Sequence, residues 1–138
     1  MLGGRESHWL NQTMAIRNFR AIVLSFVLAG CTSAHEPIPR LRVINSGQVS
    51  IQKLTVLFPK DAINFGDISA GGTTEYREVP RGVYRYSAYQ FQMSGETITQ
   101  PVIDWVGEGP MVGTRFTYKV EIDPRVSFVR LVNVTKDE

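Results

Sequence analysis

The chain has 138 residues, with 15 lysines and arginines against 13 aspartates and glutamates, and a single cysteine. One cysteine excludes an internal disulfide framework, so stability must come from burial of apolar surface. Residues 1–30 hold Arg5, Arg17 and Arg20 but only Glu6; the remainder balances twelve basic against twelve acidic side chains and lacks the clustered positive charge that nucleic-acid binding uses.

Arg17 and Arg20 precede Ala21-Ile22-Val23-Leu24-Ser25-Phe26-Val27-Leu28-Ala29, a mostly apolar run closed by small residues. This order of charge and apolar run is that of a secretory signal peptide, and Met14 is the expected start, because residues 1–13 would make the charged region unusually long. The run is too short to cross a bilayer, which takes roughly 20 apolar residues. Its end, Leu28-Ala29-Gly30-Cys31, resembles the lipobox of bacterial lipoproteins. That resemblance implies cleavage between Gly30 and Cys31, a diacylglyceryl group on the Cys31 sulfur, and a further acyl chain such as palmitate on the new N-terminus. It also implies a place in the cell envelope. Thr32 stands where an aspartate commonly retains such proteins in the inner membrane, so the outer membrane is favoured. The plain alternative is a buried, inert cysteine ending a core helix.

Residues 31–39 read as a lipidated tether, ended by Pro37 and Pro39. His35, the lone histidine after the leader, is expected to be solvated rather than a metal ligand. From residue 40 to 138 the dominant signal has a period of two, which sends alternate side chains to opposite faces of a sheet. Leu41 and Val43 alternate with arginine and isoleucine, and Leu54, Val56 and Phe58 with Thr55 and Leu57. Residues 63–68, 74–79 and 83–93 follow as candidate strands, then 97–106. Phe116, Tyr118, Val120 and Ile122 alternate with Thr117, Lys119, Glu121 and Asp123 as the cleanest half-buried strand, and 127–135 completes the set. Within 83–93 the apolar phase slips between Tyr84-Tyr86-Ala88 and Tyr89-Phe91-Met93, which a bulge near Ala88-Tyr89 would reconcile.

Asn45-Ser46-Gly47, Pro59-Lys60-Asp61, Gly71-Gly72, Pro80-Arg81-Gly82, Ser94-Gly95 and Asp123-Pro124 punctuate these runs as turns, Ser94-Gly95 having the character of a hairpin turn. No segment after Pro39 keeps a capped helical period. The expected fold is therefore all-β: a single antiparallel β-sandwich of about seven strands behind an N-terminal lipoprotein signal peptide. Ile63-Asn64-Phe65-Gly66-Asp67-Ile68 and Val79-Pro80-Arg81-Gly82-Val83-Tyr84 are similar to stretches in small exported immunoglobulin-like or transthyretin-like sandwich domains, several of unknown function. The resemblance implies a binding or assembly module without fixing its ligand.

Nucleophilic catalysis needs a serine or cysteine with a base; the only histidine after the leader is in the tether, and Cys31 would be acylated. Asp104 and Glu108, flanking Trp105, are the one carboxylate pair suited to a carbohydrate cleft, although Trp105 in the core with two surface charges is the plainer reading. The segment Gln100 to Pro110 has the glycines and prolines of a fixed recognition loop, so a binding surface is expected at Arg81, Tyr89, Asp104 and Trp105. The leading expectation is a non-enzymatic, lipid-anchored envelope lipoprotein, with no cofactor beyond its covalent lipid. It would be held at the membrane and bind an unknown envelope protein or polymer. The alternatives are a hydrolase using Asp104 and Glu108, or a structural spacer with no discrete ligand.

Overall fold

The computed structural model describes residues 35–102 and 107–138, so Cys31, Asp104 and Trp105 lie outside the described residues. Eight strands follow in order: β1 (Arg40–Asn45), β2 (Ile51–Phe58), β3 (Asp61–Ile68), β4 (Arg77–Glu78), β5 (Ala88–Met93), β6 (Glu96–Gln100), β7 (Arg115–Asp123) and β8 (Phe128–Lys136). They form two four-stranded sheets, β4-β1-β7-β8 and β3-β2-β5-β6. Their inward rows make one core, and no helix occurs among the described residues. The β-sandwich read from the sequence is thus the fold.

Alternation puts Leu41 and Val43 of β1, Phe116, Tyr118 and Val120 of β7, Leu54 and Val56 of β2, and Tyr89 and Phe91 of β5 into the interior, all essentially without solvent contact. Each such side chain contributes about 1.5–3 kcal/mol relative to exposure. The outward residues of β5 and β6, Gln90, Gln92, Thr97 and Thr99, are polar and uncharged. They continue across β2 and β3 through Thr55 and Asn64, whose Nδ2 donates to Thr55 Oγ1 at 3.0 Å.

The strand set differs from expectation in four places. β1 and β7 run parallel, from Arg40 beside Arg115 to Asn45 beside Val120, whereas every other pairing is antiparallel. The expected strand at 74–79 shrinks to the two residues of β4, helped by an isolated bridge from Thr73 to Ile44. The expected strand at 83–93 starts only at Ala88, so its change of phase marks the entry of the chain into β5 rather than a bulge near Ala88-Tyr89. The irregularities fall instead on β2, where Lys53 has φ of 49°, and on β8 opposite Lys119 and Val120. Finally, β6 stops at Gln100, because Pro101 has no N–H to extend the ladder. The Ser94-Gly95 turn does join β5 to β6, with φ of 52° and 82°, the doubly positive pattern of a type I′ hairpin.

Three side-chain devices hold the sandwich where the ladders end. Asn45, fully buried, donates from Nδ2 to the carbonyls of Val49 (2.8 Å), Ile68 (3.2 Å) and Ser69 (3.1 Å), and its Oδ1 accepts from Gly47 N (3.0 Å). It ties the end of β1 to the start of β2 and the end of β3.

Gln100 closes the seam between the sheets. Its Nε2 donates to Val129 O at 2.9 Å and its Oε1 accepts from Val129 N at 2.8 Å, the two bonds a neighbouring strand would make to the outer edge of β8. Alanine at Gln100 is expected to cost about 1–2 kcal/mol by orphaning both groups and to speed amide exchange at Val129. Unchanged exchange there would rule this role out.

On the outer face of the β1–β7 sheet, Tyr76 lies under the guanidinium groups of Arg42 (4.9 Å to the ring centre) and Arg115 (5.4 Å). Tyr76 donates to Asp137 Oδ2 at 2.9 Å, and Thr117 donates to the same carboxylate. Burial opposes the charge on Asp137, but the bonds from Thr117 and Tyr76, the Arg42 charge and a bond from Thr135 outweigh it and lower its pKa. A depressed carboxylate adds stability above its unfolded pKa of about 3.9, and that stability is lost as pH falls through the lower folded value. Asp137→Asn is expected to flatten the acid limb of a stability–pH profile below about pH 4, while leaving the neutral region's slope unchanged.

Candidate functional site

The chain enters β5 through Val83-Tyr84-Arg85-Tyr86-Ser87, a stretch outside both sheets. Gly82, with φ of +109°, starts it: a Cβ there would lie 3.2 Å from the Tyr84 ring, so the backbone conformation and the close approach both demand glycine. Met111 N then donates to Val83 O at 2.7 Å, bringing the segment after residue 107 alongside.

This path leaves a cavity of about 520 Å³ where the edge strands β6 and β8 of the two sheets face each other. Its walls are Tyr86, Ser87 and Tyr89 from the entry to β5, Gln100 to Val102 at the exit of β6, Glu108, and Phe128 to Leu131 of β8. A smaller recess of about 350 Å³ continues along β8 from Leu131 to Val134, opposite Arg85, Tyr86 and Met111. Tyr86 (57% exposed) and Phe128 (44% exposed) stand bare at the rim. The volume falls in the range of small-molecule or side-chain sites, which are concave, largely apolar and fitted with a few polar groups.

Behind the wall runs a chain of hydroxyls. Ser87 Oγ donates to Tyr118 Oη at 2.9 Å, and Tyr118 Oη donates to Tyr84 O at 2.6 Å. Burial, opposed by the Ser87 and Tyr84 bonds, pushes the Tyr118 phenol up to about 12. Tyr89 Oη is buried without a hydrogen bond of good geometry. Its pKa stands well above the ordinary value, chiefly from burial and then from Tyr118, and the nearby Ser87 hydroxyl lowers it only in part. Both phenols therefore stay protonated at neutral pH.

The residues singled out in the sequence are distributed unevenly. Tyr89 lies in the core, 1% exposed, and forms part of the cavity wall rather than a bare contact surface. Arg81 is not on that wall: its Nη1 pairs with Glu36 Oε2 at 2.7 Å and its Nη2 donates to Glu36 O at 2.6 Å. Arg81 and Tyr89 thus do not share one surface. Glu108 does line the cavity, while Asp104 and Trp105 fall outside the described residues. His35 and the described carboxylates form no group of three metal-ligating side chains among the described residues.

The rim residues Tyr86 and Phe128 escaped sequence reading. The signal for Phe128 was present: counting back along β8 by twos from Arg130 puts it on the solvent face. Nothing in the sequence revealed that Gln100 would reach across to β8.

No family model matches the sequence, and no curated protein matches it. Among solved structures, the fold is similar to one described as "NMR structure of the protein from Eubacterium rectale", with 15% sequence identity, a TM-score of 0.49, and coverage of 71% of this chain and 91% of that one.

Proposed function

We propose that this chain is a lipid-anchored envelope lipoprotein, acylated at Cys31, whose β-sandwich binds a protein or envelope polymer without chemically transforming it. The lipobox-like Leu28-Ala29-Gly30-Cys31 supports the anchor, and the outer membrane is its favoured address. The single observation that carries the binding reading is the cavity beside β8, with Tyr86 and Phe128 bare at its rim and Gln100 and Ser87 among its polar lining. Bare aromatics around a recess are the side chains on which binding energy tends to concentrate.

A photo-crosslinking residue in place of Phe128, in cells expressing the chain with Cys31 intact, is expected to capture a defined envelope component. The same residue at Thr97, exposed on the opposite sheet, should not capture it. No adduct at Phe128, or identical adducts at both positions, would leave the spacer reading in its place.

The carbohydrate-active reading draws on Glu108 in the cavity wall. Amide replacement of both Asp104 and Glu108 without change in any sugar turnover would remove it.

A further inference from the structure

We propose that the sandwich sits on phospholipid headgroups through the end where β1 and β7 begin, with Ile38 and Val112 entering the interfacial layer and Arg40 and Arg81 at the level of the phosphates. This rests on the lipid anchor at Cys31 and adds an orientation that the anchor alone does not specify.

The first support is where the chain meets the domain. Arg81 grips Glu36 through both its side chain and its carbonyl, at 2.7 and 2.6 Å. Val79 N donates to Pro39 O at 3.0 Å, and Arg40 N donates to Thr114 O at 2.8 Å. From Glu36 onward the chain is therefore strapped to one end of the sandwich. Between Cys31 and Glu36 the chain spans at most about 18 Å even fully extended. The nine residues of β7 alone cover about 30 Å. The link is shorter than the sandwich is long, so the strapped end is the one held at the membrane surface.

The second support is what that end presents. Val112 is 89% exposed and Ile38 49%. Each lies two residues before the Arg40–Thr114 contact, so the two flank the same corner. Single bare apolar residues are common on protein surfaces. These two border the strap, to which Arg40 and Arg81 also belong. Arg40 pairs with Glu78 at 3.3 Å and Arg81 with Glu36 at 2.7 Å, with both arginine side chains at least half exposed. Exposed ion pairs of this kind are weak, and a guanidinium can add a phosphate contact through its remaining N–H groups.

The test uses the acylated protein in vesicles of phosphatidylethanolamine and phosphatidylglycerol. Because Cys31 is blocked by lipid, a cysteine introduced at Val112 or at Val126 is the free thiol for a nitroxide label. Val126 is 69% exposed in the turn between β7 and β8, at the opposite end of the sandwich, and is the control. Collision rates of each label with oxygen, which partitions into lipid, and with a water-soluble nickel complex give a ratio for each site. The expected result is a ratio several-fold higher for the Val112→Cys label than for the Val126→Cys label. Equal ratios in protein that is acylated and floats with the vesicles overturn the seating and leave the anchor standing. Protein that neither acquires lipid nor floats overturns both.

Discussion

Alanine in place of Asn45 is expected to destabilise the domain by about 3 kcal/mol, because a buried amide that satisfies several backbone groups leaves each of them with a desolvation cost once it is gone. The Asn45 side chain serves four backbone groups: the carbonyls of Val49, Ile68 and Ser69 and the N–H of Gly47. Water could reach part of this set, since only the bond to Ile68 O is wholly buried, and for that reason the estimate stays near the cost of one or two orphaned groups. Domains of this size are stable by about 5–15 kcal/mol, so the loss removes a large share and should lower the melting temperature by roughly 10–20 °C. Asn45→Asp sharpens the test. Aspartate keeps the acceptor facing Gly47 but loses both donors and sets a negative charge among three carbonyl oxygens, so it should be at least as damaging as alanine. Urea denaturation of the two variants against the parent decides the matter, and a loss below about 1 kcal/mol for either would show that the hub is dispensable.

Serine in place of Cys31 is expected to have the largest effect of any single change on where the protein resides. On the lipoprotein reading, thioether formation at Cys31 precedes cleavage after Gly30, and a hydroxyl cannot replace the sulfur in that step. The serine variant should take up no radioactive palmitate and keep its leader, while the parent is labelled and shortened. Each buried methylene contributes about 0.8 kcal/mol, so two or three chains hold a protein at a bilayer almost permanently, whereas one does so only marginally. Palmitate label on the serine variant, or none on the parent, would sink the anchor.

How much of this was legible in the sequence depends on how local each feature is. Period-two runs at Leu41-Val43 and from Phe116 to Ile122 place their strands because the code for facing inward is written in neighbouring residues. Ser94-Gly95 places its hairpin for the same reason. The parallel pairing of β1 with β7 is invisible locally, since it joins segments some 75 residues apart. Three tyrosines misled in opposite directions. Tyr84 and Tyr86 read as strand residues but lie before β5, with Tyr86 in solvent, while Tyr89 read as a surface contact and lies in the core. A tyrosine's apolar ring and polar tip suit either place, and only tertiary packing chooses. Arg81 was expected at a binding surface, and its partner in the structure is Glu36 in the tether. The cavity arises from two sheet edges meeting and has no sequence signature of its own.

The β1–β7 pairing has a consequence for how the chain is made. Arg40 to Asn45 must wait for Arg115 to Val120 before its sheet can close, and contacts of such wide sequence separation form slowly. A chain emerging from its N-terminus therefore holds β1 against nothing more than the two residues of β4, and the central ladder of that sheet zips only once nearly the whole length is available. On the lipoprotein reading proposed above, this sheet would lock only after the chain has been exported.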